Sequence, residues 1–300
     1  MKNWIFGNPV FSTTQSLEGN ELPVTDAERA RAFWRLRRYT SFAYIERQAE
    51  HLNQLIEGFK SEARRAADPY AMRDFTQMLA VLYRHDSHYQ KGLALLRPGD
   101  VGGFDFILEG AKVASYFESR MFYEHEDLRW FAFGSEEARP LVGLLAWGRR
   151  TYTLARNTLR TLRAEWTFEL LRDPRPSRDP CRLPERCAAL PAPQPGAARC
   201  SPGQPVPTTG VWLPTDRRSG CPNYLVSRWI APEAMATVAS SENAAIESGY
   251  PEYTYERRAS RWELCWEDVR LSEPETRGGS EFLGDDVAFP DEPLEIMPHS

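Results

Sequence analysis

Residues 173–209 have the sequence DPRPSRDPCRLPERCAALPAPQPGAARCSPGQPVPTT and contain ten of the 23 prolines in this chain of 300 residues. Proline fixes φ and removes a backbone donor, so this segment is predicted to be an extended, loosely ordered connector. From Val24 to the connector, prolines are rare and long amphipathic runs fill the chain. After the connector come short segments rich in Trp and Tyr. The connector therefore divides the chain into two regions with different structures.

The first region has the apolar periodicity of long helices. Thr25 and Glu28 form a capping box, and Asp68 before Pro69 is typical of a helix start. Because the connections between these runs are short, we expect antiparallel neighbours in an up-down bundle. The four predicted helices lie at about 25–66, 69–97, 107–131 and 136–171.

The second region is predicted to be a small β-rich module. Residues 210–214 have the composition of a short strand, and 224–230 are its predicted partner across a basic turn. Residues 231–248 are expected to form a loop or a short helix, whereas 253–271 alternate as a strand does. At least two of the four tryptophans are expected to fill the core of this module: Trp212, Trp229, Trp262 and Trp266.

The predicted fold is therefore mainly α, and α+β overall. The helical bundle is expected to fold without the rest of the chain, because its helices are long enough to bury a continuous apolar stripe. The predicted parts are an N-terminal extension (1–24), a four-helix bundle (25–172), the proline-rich connector (173–209), the β-rich module (210–271) and an acidic tail (272–300).

Charge is distributed unevenly along the chain. The whole has 42 acidic and 37 basic residues, which argues against a general nucleic-acid binder. Residues 271–300 hold eight acids and one base, a net charge of −7, so residues 1–270 have +2. No apolar stretch has the length of a signal peptide or a membrane span, and we predict a cytoplasmic protein without a membrane partner.

No motif in the chain predicts catalysis, a cofactor or a metal. The five cysteines form no C-x-x-C pair, which disfavours a zinc site. His85 and His88, with the polar cluster at 124–127, could ligate a metal, but a solvated helix face is the preferred interpretation. Cys221 could act as a nucleophile, yet no histidine lies between residues 126 and 298 to serve as its base.

Three aromatic motifs carry a family resemblance. They are Thr-Thr-Gly-Val-Trp-Leu-Pro at 208–214, Trp-Ile-Ala-Pro at 229–232 and the Trp-containing strand at 262–266. Together with the helical first region, this pattern resembles the immunity proteins of bacterial polymorphic-toxin and type VI secretion systems. The resemblance implies a non-enzymatic protein that binds a cognate toxin and blocks its active site or its access to substrate.

Candidate partner-binding residues follow from charge and from aromatic content. An acidic segment suits a basic toxin, of the kind that acts on nucleic acids, so the partner is a protein and not nucleic acid itself. A non-catalytic adaptor is the alternative function, an enzyme is less favoured, and homo-oligomerisation is left open. The candidates are Asp285, Asp286, Asp291, Glu292, Trp212 and Trp229.

Overall fold

The computed structural model describes residues 14–16, 24–65, 69–122, 139–172, 187–216, 220–241 and 252–271, which form an α+β fold as predicted. The helices in these ranges are α1 (Asp26–Tyr39), α2 (Phe42–Arg65), α3 (Pro69–Leu96), α4 (Gly103–Phe122), α5 (Arg139–Leu162) and α6 (Phe168–Arg172). The strands are β1 (Thr14–Ser16), β2 (Arg199–Cys200), β3 (Gly210–Pro214), β4 (Asn223–Leu225), β5 (Ala234–Ser241), β6 (Glu252–Arg258) and β7 (Trp262–Glu267).

Several predicted segments lie outside the described residues. They are most of the N-terminal extension, the junction of the third and fourth predicted helices at 123–138, the first part of the connector at 173–186, and the acidic tail. The polar cluster at 124–127 and the tail residues Asp285, Asp286, Asp291 and Glu292 fall in these segments.

Helix starts follow the capping signals in the sequence. The capping box is confirmed, because the Glu28 amide donates to the Thr25 hydroxyl (3.2 Å) and the Thr25 amide donates to the Glu28 carboxylate (2.9 Å). Helix α3 begins at Pro69, as predicted. It ends before Gly99, whose φ of 96° places it in the left-handed region that favours glycine after a helix.

The predicted first helix is in fact two helices, α1 and α2, separated at Thr40 and Ser41. The Thr40 hydroxyl donates to the Leu36 carbonyl (2.8 Å), and the Ser41 hydroxyl accepts from the Tyr44 amide (3.3 Å). Short hydroxyl side chains compete with the helix for backbone groups, and Ser41 caps the helix that follows. The apolar periodicity continues across this break, which is why the sequence predicted one helix.

The predicted fourth helix was expected to reach about residue 171, but α5 ends at Leu162. Ala164 adopts a φ of 52°, and the Glu165 amide donates to the Arg160 carbonyl over 3.0 Å. This is a Schellman motif with alanine in the position that glycine usually occupies. Because the sequence has no glycine at this position, it gives no signal that α5 ends at Leu162.

All described strand pairs are antiparallel, in two sheets with the orders β1-β5-β6 and β2-β7-β3-β4. The strand predicted at 210–214 is confirmed as β3, and its partner β4 is shorter than expected. The prediction of a loop or helix for 231–248 is wrong for β5, which pairs with β1 and β6. Pairing along both edges overrides the weak strand propensity of its alanines and serines.

The second part of the predicted connector is built into the β-rich region. Strand β2 pairs with β7, and Cys200 and Val206 are buried in one cluster with Trp212 and Trp262. Residues 187–209 are therefore not the loosely ordered linker that their proline content predicted. Proline lacks only its own amide donor, and the neighbouring residues supply the backbone hydrogen bonds to residues 229 and 231.

The helical and β-rich regions share the largest buried cluster. Phe33 of α1 packs edge-on against Trp266 of β7 with ring centroids 5.6 Å apart, and Phe104 of α4 packs edge-on against Tyr224 of β4 at 6.0 Å. The cluster includes side chains of α1 to α6 together with four from the β-rich region: Val211, Cys221, Tyr224 and Val226. This packing argues against the expectation that the helices fold alone.

A buried ion pair joins the β-rich region to the end of α1. The Arg270 guanidinium donates to both carboxylate oxygens of Asp268 at 2.8 and 2.6 Å, and also to the Arg37 carbonyl at 2.8 Å. It further donates to the Thr40 hydroxyl (3.2 Å), and the Tyr224 hydroxyl donates to Asp268 (2.7 Å). A cation here also complements the negative end of the helix dipole.

We expect Asp268→Ala to lower the free energy of unfolding by about 3–5 kcal/mol, because it leaves the Arg270 cation buried without its counter-charge. Urea unfolding followed by circular dichroism measures this loss. The matched control, Glu263→Ala, removes the Arg199–Glu263 surface pair (2.8 Å) and should cost less than about 1 kcal/mol. Equal losses in the two variants would contradict the structural role of the buried pair.

We further expect a fragment of residues 1–172 to unfold without a sharp transition, since it lacks Tyr224 and Trp266 from the shared core. Near-ultraviolet circular dichroism and thermal unfolding of this fragment are compared with those of the full chain. A cooperative transition at the Tm of the full chain would show that the helical region completes its own core.

Candidate protein-binding site

The chain after β4 forms a tight turn that presents three residues, Arg228, Trp229 and Ile230, here called the 228–230 loop. Its backbone is hydrogen bonded to the segment at 204–206. The Val206 amide donates to the Trp229 carbonyl (2.8 Å), and the Arg228 amide donates to the Val206 carbonyl (2.9 Å). A loop fixed in this way loses little conformational entropy when it binds.

The side chains of the 228–230 loop present an apolar surface to solvent. Ile230 is 61% exposed, the largest exposure among the large hydrophobic side chains of the described residues. Trp229 is half-buried and packs against the shared core. The loop therefore combines an anchored aromatic ring with a projecting aliphatic side chain, a combination typical of protein interfaces.

Arg228 has a backbone conformation that is unusual for its residue type. Its φ is 71°, in the left-handed region, which costs a non-glycine residue on the order of 1 kcal/mol or more and persists only where surrounding contacts hold the backbone in place. Its side chain is exposed, and no carboxylate within the described ranges pairs with its guanidinium. An arginine held in a strained backbone and left available for an external carboxylate is a candidate binding residue.

The predicted site residues have different positions in this structure. Trp212 is fully buried, and its indole nitrogen has no hydrogen-bond acceptor among the described residues. A side chain without exposed surface cannot touch a partner in this conformation, so Trp212 is a core residue and does not bind a partner. Trp229 lies in the 228–230 loop, next to Arg228 and Ile230, neither of which is marked as a binding residue by any pattern in the sequence.

His85 corrects the prediction of a solvated helix face. It is buried within the helical region, and its ring packs edge-on against Tyr89 with centroids 4.7 Å apart. Burial, assisted by the nearby His88, lowers the pKa of His85 from 6.5 to about 3, which keeps the ring neutral. Within the described residues, no group of three or more His, Cys, Asp or Glu side chains could hold a metal ion.

A chain of hydrogen bonds crosses the helical region beside His85. The Tyr89 hydroxyl donates to the Gln48 amide oxygen (2.8 Å), and the Gln48 amide nitrogen donates to the Thr158 hydroxyl (3.0 Å). The Thr158 hydroxyl donates in turn to the Tyr39 carbonyl (3.1 Å). These buried polar groups link α1, α2, α3 and α5, and satisfied networks of this kind fix one arrangement of packed helices.

The Cys221 thiol, the candidate nucleophile of the enzyme alternative, is also buried. It is 3% exposed and belongs to the shared core. A substrate cannot reach a thiol in that position without opening the interface between the two regions.

Among the helices of the described residues, none combines the length and the apolar character that a membrane span requires.

Comparison with known proteins gives no match for this chain among protein families, curated proteins or solved structures. Its function is therefore inferred from the geometry of the 228–230 loop and from the residues of the sequence.

The depressed pKa of His85 predicts a pH dependence of stability. The unfolded chain takes up a proton on this ring below pH 6.5, whereas the folded chain does so only near pH 3, so the free energy of unfolding falls as the pH drops between these values. In His85→Phe this fall should be shallower by up to about 1.4 kcal/mol per pH unit.

Urea unfolding at several pH values measures the slope for each protein. Gln90→Ala, at an exposed position of α3, is the control and should keep the wild-type slope. A wild-type slope in His85→Phe would show that other groups account for the pH dependence.

Proposed function

We propose that this protein is a non-catalytic binding protein, and specifically a cytoplasmic immunity protein that neutralises a cognate secreted toxin. The observation that carries the proposal is the 228–230 loop, in which a rigid backbone presents an exposed isoleucine and an available arginine. The motifs at 208–214, 229–232 and 262–266, which resemble those of immunity proteins, include this same loop.

The packing of the long helices against one another supports a role in inhibition. An inhibitor gains affinity when its contact residues are held in the bound conformation before the partner arrives. Neighbouring long helices pack on one another in the pairs α2–α3, α3–α4, α4–α5 and α2–α5. These contacts support an up-down bundle, which would act as the rigid body behind the β-rich region.

The proposed partner is a protein toxin with a basic surface beside an apolar pocket. Ile230 would enter the pocket, Arg228 would pair with a carboxylate at its rim, and the acidic region after Leu271 would cover the basic surface. Asp285, Asp286, Asp291 and Glu292 are the acids proposed for this contact, with Trp229 as the aromatic support. The proposed mode of action requires no cofactor and no metal.

The test is a growth-protection assay in a bacterial host. The genes that neighbour the gene for this protein are first tested for toxicity, and a toxic product is then expressed with the wild-type protein or with Ile230→Asp, Arg228→Gly or Tyr83→Asp. We expect wild type to restore growth and to form a complex on size exclusion. Ile230→Asp should weaken binding by at least about 30-fold, as loss of a hot-spot residue does.

The other two variants have different purposes. Arg228→Gly tests the side chain of Arg228, and Tyr83→Asp is a control at an exposed position outside the loop. Arg228→Gly keeps the positive φ without strain, but it removes the whole side chain and frees the backbone, so its loss of affinity sets an upper limit on the contribution of the guanidinium. Tyr83→Asp alters an exposed hydrophobic side chain of α3 and should protect as wild type does. Failure of the wild-type protein to protect would refute the proposed function, whereas protection by Ile230→Asp would place the binding site elsewhere.

A further inference from the structure

Residues 188–195 lie on the surface and belong to no helix or strand. Burial in this part of the chain repeats with a period of three: Cys187, Leu190 and Pro193 are partly buried, and the two residues that follow each of them are exposed. A polyproline II helix has three residues per turn, so one of its edges can face the protein while the other two face solvent. The burial pattern is therefore that of a polyproline II helix, and we call residues 188–195 the proline ridge.

The sequence explains why the proline ridge takes this conformation. From Leu190 to Pro195, every residue either is a proline or directly precedes one. Proline fixes its own φ at about −65°, and a residue before proline is restricted to extended or polyproline II backbone. The residues of the ridge therefore favour this conformation before any tertiary contact forms.

Contacts at both ends hold the proline ridge in place. Leu190 packs against the shared core. After the ridge, the Ala197 amide donates to the Gln194 carbonyl (2.9 Å), and the Ala198 carbonyl accepts from the Leu264 amide of β7 (3.0 Å). A polyproline II helix that is already formed and anchored loses little conformational entropy when it binds a partner.

The outer side of the proline ridge is apolar and uncharged. Pro191 and Pro195 are exposed, and residues 187–198 include no Asp, Glu, Lys or Arg. Within the described ranges, the backbone carbonyls of Leu190, Pro191 and Pro193 accept no hydrogen bond. Aromatic grooves bind this combination, because their rings pack against the proline rings while an indole N–H or a phenol O–H donates to a carbonyl.

We propose that the proline ridge is a second binding surface, and that its partner is a protein with an aromatic-lined groove that recognises polyproline II helices. At about 3.1 Å of rise per residue, equivalent edges of the ridge return about every 9 Å. The exposed pairs Pro191-Ala192 and Gln194-Pro195 therefore enter two neighbouring pockets of the groove. The inference goes beyond the proposed function and holds whether or not a toxin binds elsewhere on the protein.

The absence of charge on the proline ridge predicts how its binding responds to salt. Recognition rests on apolar packing and on hydrogen bonds to backbone carbonyls, so it should change little in 1 M NaCl, where the screening length is about 3 Å. The 228–230 loop differs, because Arg228 is proposed to pair with a carboxylate of the toxin. The salt dependence of binding therefore distinguishes the two surfaces.

The test uses the full chain and purified domains that have aromatic grooves of different shapes. The protein is titrated into isotope-labelled SH3, WW and EVH1 domains. Nuclear magnetic resonance follows the indole signal of the tryptophan in each groove. We expect at least one domain to bind with a shift of this signal, and to keep its Kd in 1 M NaCl.

Two variants and one control locate the contact on the protein. Pro191→Ala/Pro195→Ala removes two exposed rings and should weaken binding at least about tenfold. Ala192→Asp keeps every proline but places a charge on the exposed edge, and it should weaken binding to a similar extent. Pro98→Ala changes an exposed proline after α3 and should bind as wild type does. Far-ultraviolet circular dichroism verifies that each variant is folded.

Two outcomes overturn the proposal. If none of the three domains binds, the proline ridge is a connector only. If both ridge variants bind as tightly as wild type, the domains contact another surface. Neither outcome affects growth protection by the wild-type protein, so failure of this proposal is distinguishable from failure of the proposed function.

Discussion

The guanidinium of Arg270 forms hydrogen bonds with groups of both the β-rich region and the helical region, and it therefore links the two regions directly. It binds the Asp268 carboxylate within its own turn and the Arg37 carbonyl and Thr40 hydroxyl of the helical region. Its position depends on the break between α1 and α2, because only a helix end leaves carbonyl groups free to accept. A continuous helix through Thr40 would remove that acceptor and leave the Asp268–Arg270 pair without a place to dock.

The same contact sets the direction of the 228–230 loop. Asp268 accepts from Tyr224, which lies in β4 immediately before the turn that carries the loop. On the other flank of β4, the Asn223 side chain forms two hydrogen bonds of 3.0 Å with the backbone of Trp166, which follows α5. The strand is thus held at both residues, at Asn223 by the segment that follows α5 and at Tyr224 by the Asp268–Arg270 pair that binds the end of α1, and these contacts fix the orientation of the loop. In the proposed function, this rigidity would allow the exposed isoleucine to act as a preorganised contact.

The sequence predicted the features that depend on local chemistry. The capping box at Thr25, the start at Pro69 and strand β3 were all visible as patterns of neighbouring residues. The sequence did not predict the features that depend on tertiary contacts. Residues 234–241 form strand β5 because both edges of this strand are paired. Helix α5 ends shortly before Ala164, which has a backbone conformation that alanine seldom adopts. For the candidate site, the sequence selected Trp229 by its aromatic character. It could not distinguish this residue from the buried Trp212, because exposure is set by long-range packing, and the strained φ of Arg228 has no signature in sequence.

In the proposed function, different residues determine how slowly the complex dissociates and how fast it forms. The 228–230 loop contributes short-range contacts, which chiefly set how slowly a complex dissociates. The carboxylates after Leu271 act at longer range and steer a basic partner toward the protein, which raises the rate of encounter.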